Sequence, residues 1–504
     1  MFQPILTYII KTTPDVTPRT FCGLVLQTVG NANTCVIDDP RFEWQVELPE
    51  PKGQSPATSF LYKSNIEENS PPAGYWGDYR NCDSPIWALL SNKLWDVDVV
   101  YYIGDTIDHG VWETSYELIN DMNRYLVDKI RKSFGDDVLV IPVIGNHESQ
   151  PTNQFAPYTV REDFINTTWL YEALAEKWDF YLPEDAKESM RTRGDFSMLV
   201  RPGLRVISIN NNVAYKYNWW IAYDPLDAKT HLDWLIAELY KAEQAGEKVH
   251  ILAHIPPGVH DLTYTWTREY NRIVNRFSST IKAEFNGHTH TDEFKIFYNE
   301  TDGAAINMAW GAGSATSYTF YNLNYKIATF DTTTYVSTVV YFWTPIFNYV
   351  YNLTEANLTP NRRPHWFQLY DMKNTFRLTD LSAPSMDDLV HRMVTTNKEL
   401  LDTYAAFFSK LSDARWPWCN DWCKLDHLCK TVVTVLWERQ KCHELTNLGP
   451  SEEYYCNVSH LLGSTAENDS INSESIGKHL IQLVEALCSI VVPIWIYKII
   501  SLMT

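Results

Sequence analysis

Four short segments place carboxylate, amide and imidazole side chains directly after apolar runs: Gly104-Asp105, 145-GNHES-149, Ala253-His254 and 287-GHTH-290. In an α/β chain, the carboxyl end of a strand is where ligand chemistry usually sits. An aspartate has two oxygens, so Asp105 can bridge two cations about 3.5–4 Å apart, the spacing used for in-line displacement at phosphorus. Asn146 offers a neutral amide oxygen. His254, His288 and His290 offer imidazole nitrogens, which suit zinc, iron or manganese better than calcium. The alternation His288-Thr289-His290 puts both rings on one side of an extended segment. A hydroxide acidified by the metals would attack phosphorus, and His147, beside a ligand, is placed to protonate the leaving alcohol. His109, four residues after Asp105, has two readings of nearly equal weight. It acts like His147 or on phosphate oxygens, or it only hydrogen-bonds a neighbour.

Alternating elements must carry these segments. Leu118, Ile119, Met122, Tyr125, Leu126 and Ile130 recur at helical spacing between Ser115 and Phe134 and lead into the strand 138-VLVIPVI-144. Strand 203-GLRVISIN-210 precedes a second amphipathic helix carrying Leu232, Leu235, Ile236 and Leu239. Strand 248-KVHILAH-254, the segment 280-TIKAEFNG-287 and β-like runs at 305–310, 325–330 and 336–342 follow. This order predicts an α/β fold, a mixed β-sandwich flanked by helices. The expected organisation is a helical segment over 1–40, a proline-rich linker over 41–72, a catalytic domain over 73–360, a helical region over 361–445, and a polar loop with an apolar tail over 446–504.

The composition narrows the class. Hydrophobic residues at 45% and charged residues at 21% describe a globular chain. A formal charge of −20 argues against a nucleic-acid partner, because phosphate repels an acidic surface. The 19 Trp and 30 Tyr suit a flat or amphipathic ligand such as a sugar or lipid, and equally suit large aromatic cores. Cys419, Cys423, Cys429 and Cys442 cluster without a zinc-finger His-Cys spacing and read as disulfides. Sequons at Asn166, Asn299, Asn352, Asn357, Asn457 and Asn468 add to a secretory reading. The first residues lack a basic stretch and a small-residue cleavage site. The apolar stretch 486–504, interrupted by Pro493 and Lys498, reads as a packed or frayed tail, with a lipid-anchor signal or membrane-surface helix as alternatives. A monomer is expected.

The segments 72-PAGYWGDYRNCD-83, 104-GDTIDHGVW-112, 145-GNHES-149, 252-LAHIPPG-258 and 287-GHTHTDEF-294 resemble the acid sphingomyelinase family of the calcineurin-like metallophosphoesterases. The resemblance runs from about Trp44 to Cys442. It implies that Asp105 bridges two zinc ions, that Asn146, His254 and His288 complete one site, and that His290 serves the other. His109 and His147 would be the catalytic histidines. The implied reaction is hydrolysis of sphingomyelin, or a related phospholipid at a membrane surface, to ceramide and phosphocholine at acid pH, in a secreted or lysosomal setting. The four clustered cysteines resemble the two disulfides of the family's helical C-terminal region. The stretch 17-TPRTFCGLVLQTVGNANTC-35 resembles the end of a saposin domain. The family also carries Asp-x-His upstream of Gly-Asp, and none of the 14 histidines here has Asp two places before it. One metal site therefore keeps four candidate ligands and the other only Asp105 and His290. The alternatives are a nucleotide-type phosphodiesterase of the same superfamily and a secreted lipid- or metal-binding relative without catalysis.

Overall fold

In the computed structural model of the chain, residues 2–13, 16–26, 40–49, 74–85, 88, 97–328 and 346–446 are described. Cys35, most of the proline-rich stretch, the run 336–342, Asn457, Asn468 and the apolar tail lie outside the described residues.

Among the described residues, three sheets organise the fold. Strands β1 (Val99–Tyr102) and β2 (Leu139–Pro142) pair in parallel, with Val100 opposite Val140 and Tyr101 opposite Ile141. The large sheet uses β3 (Phe196–Arg201), β4 (Leu204–Ile209), β5 (Lys248–Ala253), β6 (Ile281–Asn286), β7 (Phe294–Tyr298) and β8 (Ala305–Gly311). Its order is β3-β4-β5-β6-β8-β7, parallel from β4 through β8, with antiparallel strands at both ends. The third sheet, β9 (Asn324–Ile327), β10 (Phe347–Val350) and β11 (Phe367–Asp371), is antiparallel with β10 central.

The central parallel strands are apolar because both faces are covered; Val249, Ile251, Leu252 and Ala253 of β5 are fully buried. The β1–β2 pair lies over the large sheet, where the Tyr101 ring meets His250 and Phe285 edge-on and the Ser208 hydroxyl donates to the Pro142 carbonyl. This is the sandwich expected from the sequence. The helix Tyr116–Phe134 begins where Ser115 accepts from the Leu118 N–H. It stops at Gly135, whose φ of 83° suits glycine.

Strands β3, β7, β10 and β11 lack a clear sequence signal. In β7 the reason is Lys295, which interrupts an apolar run and is nevertheless buried, its ammonium donating to the Lys430 carbonyl. Helices Ala383–Val394, Glu399–Phe408, Asp421–Val432 and Gln440–Thr446 contribute Leu389, Tyr404, Leu428 and Leu445 to the same core as the sheets. Disulfides Cys419–Cys423 and Cys429–Cys442 join the last of these elements. At the other end, Ile5 and Ile9 of the helix Gln3–Thr12 pack with Trp220. Trp44 and Val46 are buried in the main core, with the Val46 N–H donating to Glu269.

One buried carboxyl makes stability depend on pH. Burial pushes Glu284 of β6 up to about 7, against hydrogen bonds from Asn286 and Tyr270 that favour its charge. A carboxyl raised on folding contributes stability below its unfolded pKa, and that share is lost as pH rises through the folded value. Between pH 5 and pH 8 the loss is roughly 3 kcal/mol. Glu284→Gln is expected to flatten the fall in denaturant-derived stability over this window; an unchanged slope would contradict this.

Candidate metal centre and active site

The Gly104-Asp105 turn brings the ends of β1 and β2 into contact. A Cβ on Gly145 would sit 2.2 Å from the Asp105 nitrogen, and one on Gly104 would sit 2.5 Å from the Gly145 nitrogen, so both positions require glycine. Asp105 itself has φ 58°, a backbone region costly for a residue with a Cβ and kept only where surroundings enforce it. The enforcing group is the buried Glu148 carboxylate, which accepts from the Asp105, Thr106 and Gly145 N–H groups at 3.0, 2.5 and 2.6 Å. Burial and the nearby Asp105 charge raise the Glu148 carboxyl above its ordinary range.

Four donor atoms converge beyond this turn. His254 Nε2 lies 2.9 Å from Asp105 Oδ2 and 3.1 Å from Asn146 Oδ1, and His288 Nδ1 lies 2.9 Å from the same amide oxygen. One ligand atom each from Asp105, His254 and His288 fall within 4.8 Å of one another. The remaining polar atoms are engaged outward. His254 Nδ1 meets the Ile103 carbonyl at 2.6 Å, His288 Nε2 meets Asp261 at 3.3 Å, and Asn146 Nδ2 donates to Asn153 at 2.9 Å. With those outer nitrogens as donors, neutral rings turn their lone pairs toward the lone pairs of Asp105 and Asn146. Only positive charge satisfies this arrangement: a proton on each ring, or one cation shared by all four. Imidazole, carboxylate and amide donors with outward anchors fit a transition-metal ion.

The electrostatics favour positive charge at this point. Burial pushes the Asp105 carboxyl up, but the charges of His254, His147 and His288, with the His254 hydrogen bond, outweigh it and hold Asp105 well below the usual carboxylate range. Burial pushes His254 down, and Asp105 more than reverses that. Partial burial pushes the Asp261 carboxyl up, yet its hydrogen bond and attraction to His288 hold it low.

His290 does not join the cluster. Among the described residues, its ring nitrogens make no hydrogen bond, and the ring faces His109 and Tyr318 edge-on at 5.3 and 6.3 Å. Burial and His109 hold it well below the usual imidazole range. The extended reading of 288–290 is corrected here. His288 and His290 have φ 67° and 58°, so the segment is a tight turn. His288 faces Asn146 and His290 faces His109. Among the described residues, no third His, Cys, Asp or Glu joins Asp105 and His290, and a catalytic zinc ordinarily has three protein ligands.

The two remaining histidines sit on the same rim, ring centroids 4.6 Å apart. The His147 N–H donates to Asp105 Oδ1, and its Nδ1 meets the Asp108 carbonyl, each at 3.0 Å. His109 is anchored by Asp83, which meets its Nδ1 at 3.0 Å and accepts its backbone N–H at 2.9 Å. Asp83 also accepts from the Thr316 hydroxyl at 2.6 Å, and the His109 ring stacks on Tyr318 at 3.5 Å. Among the described residues, Nε2 of both histidines has no hydrogen-bond partner. A cleft lined by Asp105, His254, His288, His290 and residues 312–316 opens over the four-donor cluster.

Sequence reasoning missed Asp83, Glu148, Asp261, Thr316 and Tyr318. Glu148 lies inside a motif already singled out, and Asp83 ends another, so both were open to finding as partners of a histidine or a turn. A further cluster of Cys419, Cys423 and His427 offers no thiolate ligand, because its sulfurs form the disulfide.

The profile of calcineurin-like phosphoesterases matches residues 79–292, and that of the acid sphingomyelin phosphodiesterase C-terminal region matches residues 316–443. The chain is 31% identical over 408 residues to sphingomyelin phosphodiesterase 1 of Caenorhabditis elegans, an alignment covering 79% of this chain and 70% of that one. The chain belongs to the acid sphingomyelin phosphodiesterase family. It is also 38% identical to the sphingomyelin phosphodiesterases of Bos taurus and Homo sapiens, over 72% and 71% of its length. It spans 57% and 56% of those two relatives. Membership of this metallophosphoesterase family implies metal ions, in keeping with the donor set around Asp105. Among the described residues, no helix is long and apolar enough to cross a membrane.

Proposed function

We propose that this chain hydrolyses sphingomyelin to ceramide and phosphocholine, with one zinc ion held by Asp105, Asn146, His254 and His288. The observation carrying this reading is the four-donor cluster with a histidine pair on its rim. It occurs in a chain whose relatives are named sphingomyelin phosphodiesterases.

A bound zinc supplies Lewis acidity toward a phosphoryl oxygen and lowers the pKa of water. The chain's own residues do the rest. Asp105 provides the anionic ligand and, through Oδ1, fixes the His147 backbone. Asp83 fixes the His109 tautomer through Nδ1 and leaves Nε2 as the nitrogen for proton transfer. Water adds to phosphorus and the bond to the ceramide oxygen breaks. A protonated His109 or His147 gives its proton to that oxygen, and the proton lost by water restores the imidazolium.

The test is turnover of sphingomyelin vesicles against nucleotide phosphodiesters by the purified chain loaded with zinc. Preference for sphingomyelin with phosphocholine release supports the reading. Preference for nucleotides overturns it in favour of the nucleotide-type relative, and binding without turnover favours a lipid-binding one.

The secreted or lysosomal setting belongs to the same proposal, as does a saposin-like origin for residues 1–40. The sequons differ in accessibility. Asn299 sits in a turn with its amide nitrogen uncommitted among the described residues, its Oδ1 accepting from the Thr301 N–H. The Asn357 amide is tied to Gly77 and Trp76. In a secretory host, peptide mass spectrometry is expected to find a glycan on Asn299 and none on Asn357.

A further inference from the structure

The segment from Gly287 to Glu293 leaves β6, places His288 and His290 at positive φ, and enters β7. Two such residues around Thr289 need an external restraint. We infer that Asp292 is a positioning residue, through which the β9–β11 sheet holds the His288–His290 turn in its metal-facing form. The inference rests on the reading of His288 as a metal ligand.

Each strand of that sheet sends one donor to the Asp292 carboxylate. Lys326 of β9 pairs with it at 2.6 Å, Asn348 of β10 donates at 2.5 Å, and Tyr370 of β11 donates at 2.8 Å. The Asp292 backbone N–H donates to the Phe408 carbonyl at 3.0 Å, at the end of the helix Glu399–Phe408. All four of these side chains are buried. The three strands already pair through their backbones, so convergence of their donors on one carboxylate in a neighbouring loop fixes that loop rather than the sheet.

The restraint passes on through Glu293. Its Oε1 accepts from the Thr289 and Thr291 hydroxyls at 2.7 and 3.2 Å, and its backbone carbonyl accepts from the Gly311 N–H at 2.8 Å. Thr289 stands between the two histidines. The hydrogen bonds to Asp292 and Glu293, with the peptide links from Asp292 to Glu293 and from Thr289 to His288, therefore connect the C-terminal part of the chain to His288. Outer partners that orient metal ligands commonly govern metal affinity about 10–100-fold.

The experiment uses the full chain and measures zinc affinity by competition with a chromophoric chelator, alongside the melting temperature of the metal-free protein. Variants are Tyr370→Phe, Asp292→Asn and, as a ligand control, His288→Ala. Positioning predicts about tenfold weaker zinc binding in Tyr370→Phe and a larger loss in Asp292→Asn. The metal-free Tyr370→Phe protein should melt close to the parent. A purely structural role would lower that melting temperature and leave the affinity of the folded protein unchanged. Should Asp292→Asn fail to fold, Tyr370→Phe decides alone. Parental affinity in Tyr370→Phe, with binding lost in His288→Ala, overturns the positioning role. Parental affinity in His288→Ala instead overturns the ligand reading beneath it.

Discussion

Asp105→Asn is expected to lower sphingomyelin turnover by at least about 10³-fold and to leave the purified chain without stoichiometric zinc. Asparagine tolerates the left-handed backbone that Asp105 adopts, so the turn between β1 and β2 keeps its shape. The anionic charge facing His254 and His288 is lost. Lewis-acid stabilisation at phosphorus is worth several kcal/mol, and each 1.36 kcal/mol is tenfold in rate, which sets the size of the loss. Steady-state kinetics with elemental analysis of the same sample checks it. A variant within tenfold of the parent, or one that still carries zinc, would remove Asp105 from the centre of the account.

His109→Gln should cost about 10²–10⁴-fold with sphingomyelin, the range for a lost general acid. Its anchor, the buried Asp83, engages both the ring and the backbone of His109, so Asp83→Asn should fall in the same direction by less. Zinc content should not change in either variant, because neither side chain belongs to the four-donor cluster. The discriminating readout is the leaving group. A nitrophenyl phosphodiester departs without needing a proton, so the His109→Gln deficit should shrink with it while the Asp105→Asn deficit persists. An equal deficit on both substrates would assign His109 to phosphate binding rather than proton transfer.

Much of this site was legible because of where it sits in the sheets. Parallel strands buried on both faces read as apolar runs, and each run ended in the polar residue that the structure brings to the shared carboxyl edge: Asp105, Asn146, His254 and His288. The reading of 288–290 as extended failed because φ is set there by Asp292, Glu293 and the third sheet, partners distant in sequence or hidden beyond the motif. Asp83 escaped notice because its relation to His109 is tertiary, between a loop and a strand end. Lys295 concealed β7, since a buried lysine satisfied by a distant carbonyl breaks the apolar pattern that marks a strand.

The measurement that bears most directly on the central claim is the zinc stoichiometry of the purified chain, by elemental analysis after dialysis, beside His288→Ala and His290→Ala. The four-donor cluster predicts one zinc per chain in the parent, none in His288→Ala, and one retained in His290→Ala. Two zinc ions per chain, or binding that survives His288→Ala, would contradict it.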